Sequence, residues 1–137
     1  MRPVTIVLAL PVADAERSLR FYRDGLHLAN PEIDERMLAF ELPNLSLFLI
    51  ERSEYTKYTE RAGVPLVGAV PPGACIISCA IGSQEEVDDI LKRAQAAGGS
   101  IPGPAEDHDG SYMGYFSDPD GHVWELVFNA RTQAAAG

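Results

Sequence analysis

Glu125 is the residue in this chain whose type and position raise a chemical question. It is a carboxylate between Trp124 and Leu126, near the middle of the otherwise apolar run 123–128. A carboxylate there can ligate a metal, act as a general base, or receive a cationic ligand. Ionised and alone in an apolar cavity it would be costly, so it requires a partner, a proton or a cation. A purely structural role is the competing reading, with Arg2, Arg36 or a backbone group as partner. Three histidines could join it. His122 lies three residues earlier, and an odd separation on a strand puts it on the opposite face. His27 follows the first helical stretch. His108 sits in the polar segment Glu106-Asp107-His108-Asp109-Gly110. Each histidine is expected as a solvated surface group, and His108 is the best placed to bend over a site. Tyr55 and Tyr58 fall in a Pro- and Gly-rich stretch that reads either as a linker or as a lid over a pocket. Cys75 and Cys79 are the only cysteines. Four residues apart in one apolar run, they share a strand face and are expected as reduced core thiols.

The chain has 137 residues, one domain's worth. The formal net charge of −9 argues against nucleic acid or an anionic membrane as partner. It suits a cationic small molecule. No apolar run approaches the roughly 20 residues of a membrane span. Pro11 and Asp14 interrupt the first apolar run before it could form a signal peptide. The expected location is cytoplasmic.

Residues 4–12 read as a buried strand, and Asp14 as the N-cap of a helix carrying Ala15, Leu19, Tyr22 and Leu26 on one stripe, with Gly25 as its stop. Residues 27–34 read as irregular. Residues 37–42 and 45–50 read as strands about a Pro43-Asn44 turn. Residues 52–73 form a connector, with a short helical turn expected over 55–61. Residues 74–81 are again an apolar strand. Ser83-Gln84-Glu85-Glu86 is a capping box, and Val87, Ile90, Leu91 and Ala94 form a helical stripe ended by Gly98-Gly99. A broken strand over 100–106 precedes two apolar arms about the turn Asp118-Pro119-Asp120-Gly121. Asp14 and Ser83 are 69 residues apart, and the same offset pairs Val12 with Ile81 and Tyr22 with Leu91. The chain is therefore expected to hold two tandem β-α-β-β-β units. They span residues 4–51 and 74–129, with a tail at 130–137.

This duplicated pattern resembles the vicinal oxygen chelate superfamily of glyoxalase I, bleomycin resistance proteins and extradiol dioxygenases. The resemblance is carried by Leu10-Pro11-Val12-Ala13-Asp14-Ala15-Glu16-Arg17-Ser18-Leu19-Arg20-Phe21-Tyr22 and by Phe116-Ser117-Asp118-Pro119-Asp120-Gly121-His122-Val123-Trp124-Glu125-Leu126. It implies an α+β fold in which each unit curls into a cupped mixed sheet. It also implies, in enzymatic members, a divalent metal held by His, Glu or Gln from the first and last strands of each unit and acting as a Lewis acid. Carried over residue by residue, the first-strand positions fall on Val7 and Ile76, and the closing-strand positions on Phe48 and Glu125. Glu125 is the vestige of that ligand set, and one carboxylate does not hold a divalent cation.

Alternation places Val7, Ala9 and Pro11 on the inward face of the first unit, and Ile76, Ser78, Ala80, Val123, Glu125 and Val127 on that of the second. Trp124 points the other way. The expected ligand-contacting set is Glu125, Val7, Ala9, Phe48, Ile76, Ser78, Val123, Tyr55, Tyr58 and His108. The leading expectation is a metal-free protein of the bleomycin-resistance type, without turnover, that binds a cationic or aromatic small molecule and forms a homodimer. One alternative is a lyase, isomerase or dioxygenase that uses one divalent metal. The other is a metal-free enzyme with Glu125 as general base.

Overall fold

The computed structural model describes residues 1–66, 68 and 70–136. The chain divides into two compact units, residues 1–70 and 71–137. In the first, strand β1 (Val7–Val12) leads to helix α1 (Ala15–Leu19), which continues as a π-helical segment (Arg20–Gly25). Strands β2 (Glu32–Asp34), β3 (Met37–Glu41) and β4 (Ser46–Glu51) and helix α2 (Arg52–Arg61) follow. The sheet order is β1-β4-β3-β2, with β1 parallel to β4 and the other pairs antiparallel.

The second unit repeats the plan. Strand β5 (Ile76–Ala80), helix α3 (Gln84–Ala96), and strands β6 (Glu106–His108), β7 (Ser111–Ser117) and β8 (Val123–Phe128) give the order β5-β8-β7-β6. Again the first and last strands run parallel. Helix α4 (Ala130–Ala136) packs on β8, so the expected tail is helical. Two four-stranded mixed sheets with helices make this an α+β fold built from tandem β-α-β-β-β units.

Helices α1 and α3 start where their cap residues dictate. The Asp14 carboxylate accepts from the N–H groups of Glu16 and Arg17, and the Ser83 hydroxyl accepts from that of Glu86. In each unit the helix covers one sheet face. Leu10, Phe21, Tyr22, Leu38, Phe40, Leu47 and Leu49 are buried in the first, and Ile77, Val87, Leu91, Phe116, Trp124 and Leu126 in the second. The rings of Phe116 and Trp124 stack 5.9 Å apart, while Phe21 meets Tyr22 edge-on at 4.9 Å. Gly114 lets α3 approach β7. A Cβ there would stand 2.8 Å from Leu91 Cδ1 and 3.2 Å from the Ala105 Cβ.

Several expectations need correction. The first strand starts at Val7 rather than at residue 4, because its partner β4 starts at Ser46, and Val4, Ile6 and Val7 are exposed. The first helical stretch does end at Gly25, as expected, with Leu26 as its C-cap. His27 takes the left-handed conformation (φ 59°), and the Leu28 N–H closes on the Tyr22 carbonyl. Residues 27–34 are not wholly irregular, since they contain β2. His122 is not a solvated group: it is buried within the turn, where its N–H donates to Asp118 Oδ1. His108 is not in a loop. It ends β6, and Asp109-Gly110, both at positive φ, forms a two-residue hairpin turn to β7. The helix expected over 55–61 is a full ten residues, and it packs against β1 and β4 of the first unit.

Candidate functional site

The second unit turns one sheet face to α3 and leaves the other open. On β8, Trp124 and Leu126 are buried against the helix layer, while Val123, Glu125 and Val127 lie on the open face, half-buried. Register then selects the neighbours of Glu125. Ser78 is directly opposite on β5, and Tyr115 directly opposite on β7. The Ser78 hydroxyl donates to Glu125 Oε1 at 2.7 Å, and the Tyr115 hydroxyl donates to Oε2 in a short hydrogen bond. Glu125 is therefore neither unpaired nor in an ion pair with Arg2 or Arg36. Two neutral hydroxyls hold it across three adjacent strands.

The electrostatics follow from that geometry. The Tyr115 hydrogen bond, then that of Ser78, pulls the Glu125 carboxyl below its ordinary range, against a smaller opposing effect of burial. The same bond raises the Tyr115 phenol, because ionising it would set two anions side by side. At neutral pH the group is an ionised carboxylate, oriented by two donors, on an accessible face. It is suited to receiving a hydrogen-bonding cation. It is poorly suited to general-base work, which wants a pKa raised toward neutrality.

The first unit has the same register with different residues. Ala9 is opposite Phe48, and Phe48 is opposite Ala39. Ala9 and Ser78 are thus equivalent, as are Phe48 and Glu125, and Ala39 and Tyr115. The residues opposite the closing-strand positions are Ala9 and Ser78. Val7 and Ile76, where the family's first-strand ligands were carried, are opposite Ser46 and Val123, one pleat away. This unit's face is also covered. Tyr55, Tyr58, Thr59 and Ala62 line one side of a hollow of about 390 Å³ whose sheet side is Ala9, Met37, Phe48 and Ile50.

The structure thus groups Ser78, Glu125 and Val123 on one open face, and Ala9, Phe48, Tyr55 and Tyr58 about one hollow. Val7 and Ile76 are exposed. His108 is also exposed, with Nε2 3.9 Å from the Glu106 carboxylate. It lines a hollow of about 220 Å³ that Tyr115 also lines. Sequence reasoning missed Tyr115. The signal was the turn: closing the hairpin with Ser117 opposite Val123 puts Tyr115 opposite Glu125.

The residues present do not fit the family's metal. Val7, Ile76 and Phe48 bring no donor, and the Glu125 carboxylate already accepts from two hydroxyls. Among the described residues no three His, Cys, Asp or Glu side chains come together.

The profile of the Glyoxalase/Bleomycin resistance protein/Dioxygenase superfamily matches residues 5–126, so the chain belongs to that superfamily. No curated protein matches it by sequence. Among solved structures it is similar to a glyoxalase-related enzyme from Fulvimarina pelagi, at 28% identity and TM-score 0.79, over 94% of this chain and 89% of that one. It is similar to a glyoxalase/bleomycin resistance protein/dioxygenase from Nocardioides at 27% identity and TM-score 0.70, over 94% and 85%. A lactoylglutathione lyase from Agrobacterium tumefaciens, at 24% identity and TM-score 0.65 over 93% and 95%, shares the fold. No helix among the described residues is long and apolar enough to cross a membrane.

Proposed function

We propose that this member of the superfamily binds a small cationic molecule at the Glu125 carboxylate without using a metal. The carrying observation is the row Ser78, Glu125 and Tyr115, which holds an ionised acceptor on an open sheet face. Each oxygen has one hydroxyl donor and keeps lone-pair capacity for a second. An ammonium or guanidinium group meets that demand, and the chain's net charge of −9 favours its approach. Val123, Val127 and Ile76 give the apolar surround. A metal-dependent lyase, isomerase or dioxygenase would need donors that Val7, Ile76 and Phe48 do not supply. Use of Glu125 as a general base is disfavoured by its lowered pKa. A homodimer and a reduced, cytoplasmic setting for Cys75 and Cys79 belong to the same reading.

The test is a thermal-shift screen of primary amines and guanidines against neutral compounds of the same shape. Binding to the folded state raises Tm by an amount that grows with the logarithm of ligand concentration over Kd. Cations should stabilise the wild type, their neutral counterparts should not, and Glu125→Gln should lose the response. Stabilisation of both proteins to the same degree would reject the reading. So would about one tightly held divalent metal per chain in protein purified without affinity metal.

A further inference from the structure

We infer that a gap in the outer edge of β7, at Tyr115, is a binding site for a primary carboxamide carried on an aromatic ring. It rests on the Tyr115 main chain and not on the role of Glu125, and it lies wholly within the second unit. The Ser117 N–H donates to the Ser100 carbonyl at 2.8 Å, and the Ser100 N–H donates to the Ser117 carbonyl at 3.0 Å. The Ser117 main chain therefore points away from β8, toward the outer edge. Main-chain direction alternates along an antiparallel strand, so Tyr115 and Met113 point the same way. Met113 meets Glu106 of β6. Tyr115 lies between these two pairs, and neither its N–H nor its carbonyl is bonded to residues 101–105. The reason is in the sequence. Six residue steps separate Ser100 from Glu106, but only four separate their partners Ser117 and Met113, so the outer chain is two residues too long and bows off the edge. Counted from Ser100, the residue opposite Tyr115 is Pro102; counted from Glu106, it is Pro104. Neither has an N–H to give to the Tyr115 carbonyl.

The gap offers one donor and one acceptor from a single half-buried residue, and such groups require partners. A carboxamide is the complement: its N–H donates to the Tyr115 carbonyl, and its oxygen accepts from the Tyr115 N–H. A ketone would leave the carbonyl unmet, and an ammonium group the N–H. A carboxylate would leave the carbonyl unmet too, and would face the exposed Glu106 carboxylate. The occupant is not a strand of peptide, because Ser100 and Glu106 already hold the places on either side. Two hollows adjoin Tyr115. One of about 220 Å³ is walled in part by Pro104 and Met113, the other of about 340 Å³ by Ile101 and Val123, and Pro102 and Tyr115 line both. A ring attached to the amide finds an apolar wall in either one.

The probe is benzamide, titrated into the full chain and followed by 15N NMR. It should shift the Tyr115 amide proton downfield, saturably, and slow its hydrogen exchange. Acetophenone and N,N-dimethylbenzamide, which lack the donor, should bind about tenfold more weakly, as the loss of one hydrogen bond requires. In the free protein the Tyr115 N–H should exchange faster than that of Phe116, which points into the ladder with β8. Pro102→Ala combined with Pro104→Ala supplies N–H donors that can close the edge. That variant should slow Tyr115 exchange and weaken benzamide about tenfold. No saturable shift at Tyr115 in the wild type would overturn the proposal. So would equal binding of the three compounds, or a free Tyr115 N–H that exchanges as slowly as that of Phe116. Slowed exchange in the proline variant with unchanged affinity would do the same. The Glu125 reading fails on different data, the response to cations.

Discussion

Ala9, Phe48 and Ala39 in the first unit and Ser78, Glu125 and Tyr115 in the second occupy the same three places in the same sheet. On the helix side the two units also agree in kind: Leu47 and Leu49 answer Trp124 and Leu126, and all four are buried. The other face has diverged. In the first unit it is apolar and lies under α2. In the second it carries a carboxylate with two hydroxyl donors and remains open. Folding depends on the helix side, where apolar burial is large and non-directional. The far face can therefore be rewritten residue by residue without loss of the architecture, and the proposed cation site is found there.

The largest effect expected is on the helix side. Trp124→Ala removes a ring that is 5% exposed and stacked on Phe116, and should cost about 3–5 kcal/mol in urea denaturation. A cost below about 1 kcal/mol would break the distinction between the two faces.

Next is Gly114→Ala. The new methyl would meet Leu91 Cδ1 at 2.8 Å and the Ala105 Cβ at 3.2 Å. The flexible leucine tip can yield, but the alanine is fixed to the chain. The expected loss is about 1–3 kcal/mol. Equal stability would mean that α3 sits farther from β7 than described.

Glu125→Gln should have a smaller effect, about 1 kcal/mol at neutral pH, because Gln keeps one acceptor and the site is half-exposed. The 3–5 kcal/mol expected from breaking a buried ion pair should not appear. The pH dependence has a definite sign. The folded carboxyl lies below its unfolded value, so its contribution is present above the unfolded pKa and is lost as pH falls through the folded one. The difference between wild type and variant should therefore shrink from pH 6 toward about pH 3. Tyr115, raised in the fold, contributes below its unfolded pKa and loses that contribution as pH rises through the folded value. Tyr115→Phe should flatten part of the alkaline loss. Part should remain, since Tyr112 is raised in the same way by Asp88, whose Oδ1 accepts its hydroxyl at 2.6 Å.

The smallest effects test the likeness of the units. Asp14→Ala and Ser83→Ala remove equivalent N-caps and should each cost about 0.5–1 kcal/mol. A large asymmetry would show that the two entrances to the helix layer are not equivalent.

The sequence displayed local features better than pairings. Asp14, Ser83 and the Asp118-Pro119-Asp120-Gly121 turn act through neighbours a few residues away, so they were readable, and with them the tandem plan. The open face of β8 followed from alternation alone. The partners of Glu125 did not, because they are set by the register of two separate strand pairs. The Asp109-Gly110 hairpin signal was present but was subsumed in a polar segment, which left His108 in a loop. His122 looked exposed because it stands beside a polar turn, and nothing in its neighbours along the chain signals that it is buried. Helix α2 looked like a short turn because its stripe of Tyr55, Tyr58, Thr59 and Ala62 is only weakly apolar.

The most direct test of the recognition role is a 13C NMR titration of the Glu125 side-chain carboxyl, with and without saturating benzylamine. The free protein should titrate below the ordinary glutamate value of about 4.3, and the amine should lower it further, since a bound cation favours the charged form. A value at or above the ordinary one, or one that the amine leaves unmoved, would contradict the claim that Glu125 is a preorganised acceptor for a cation.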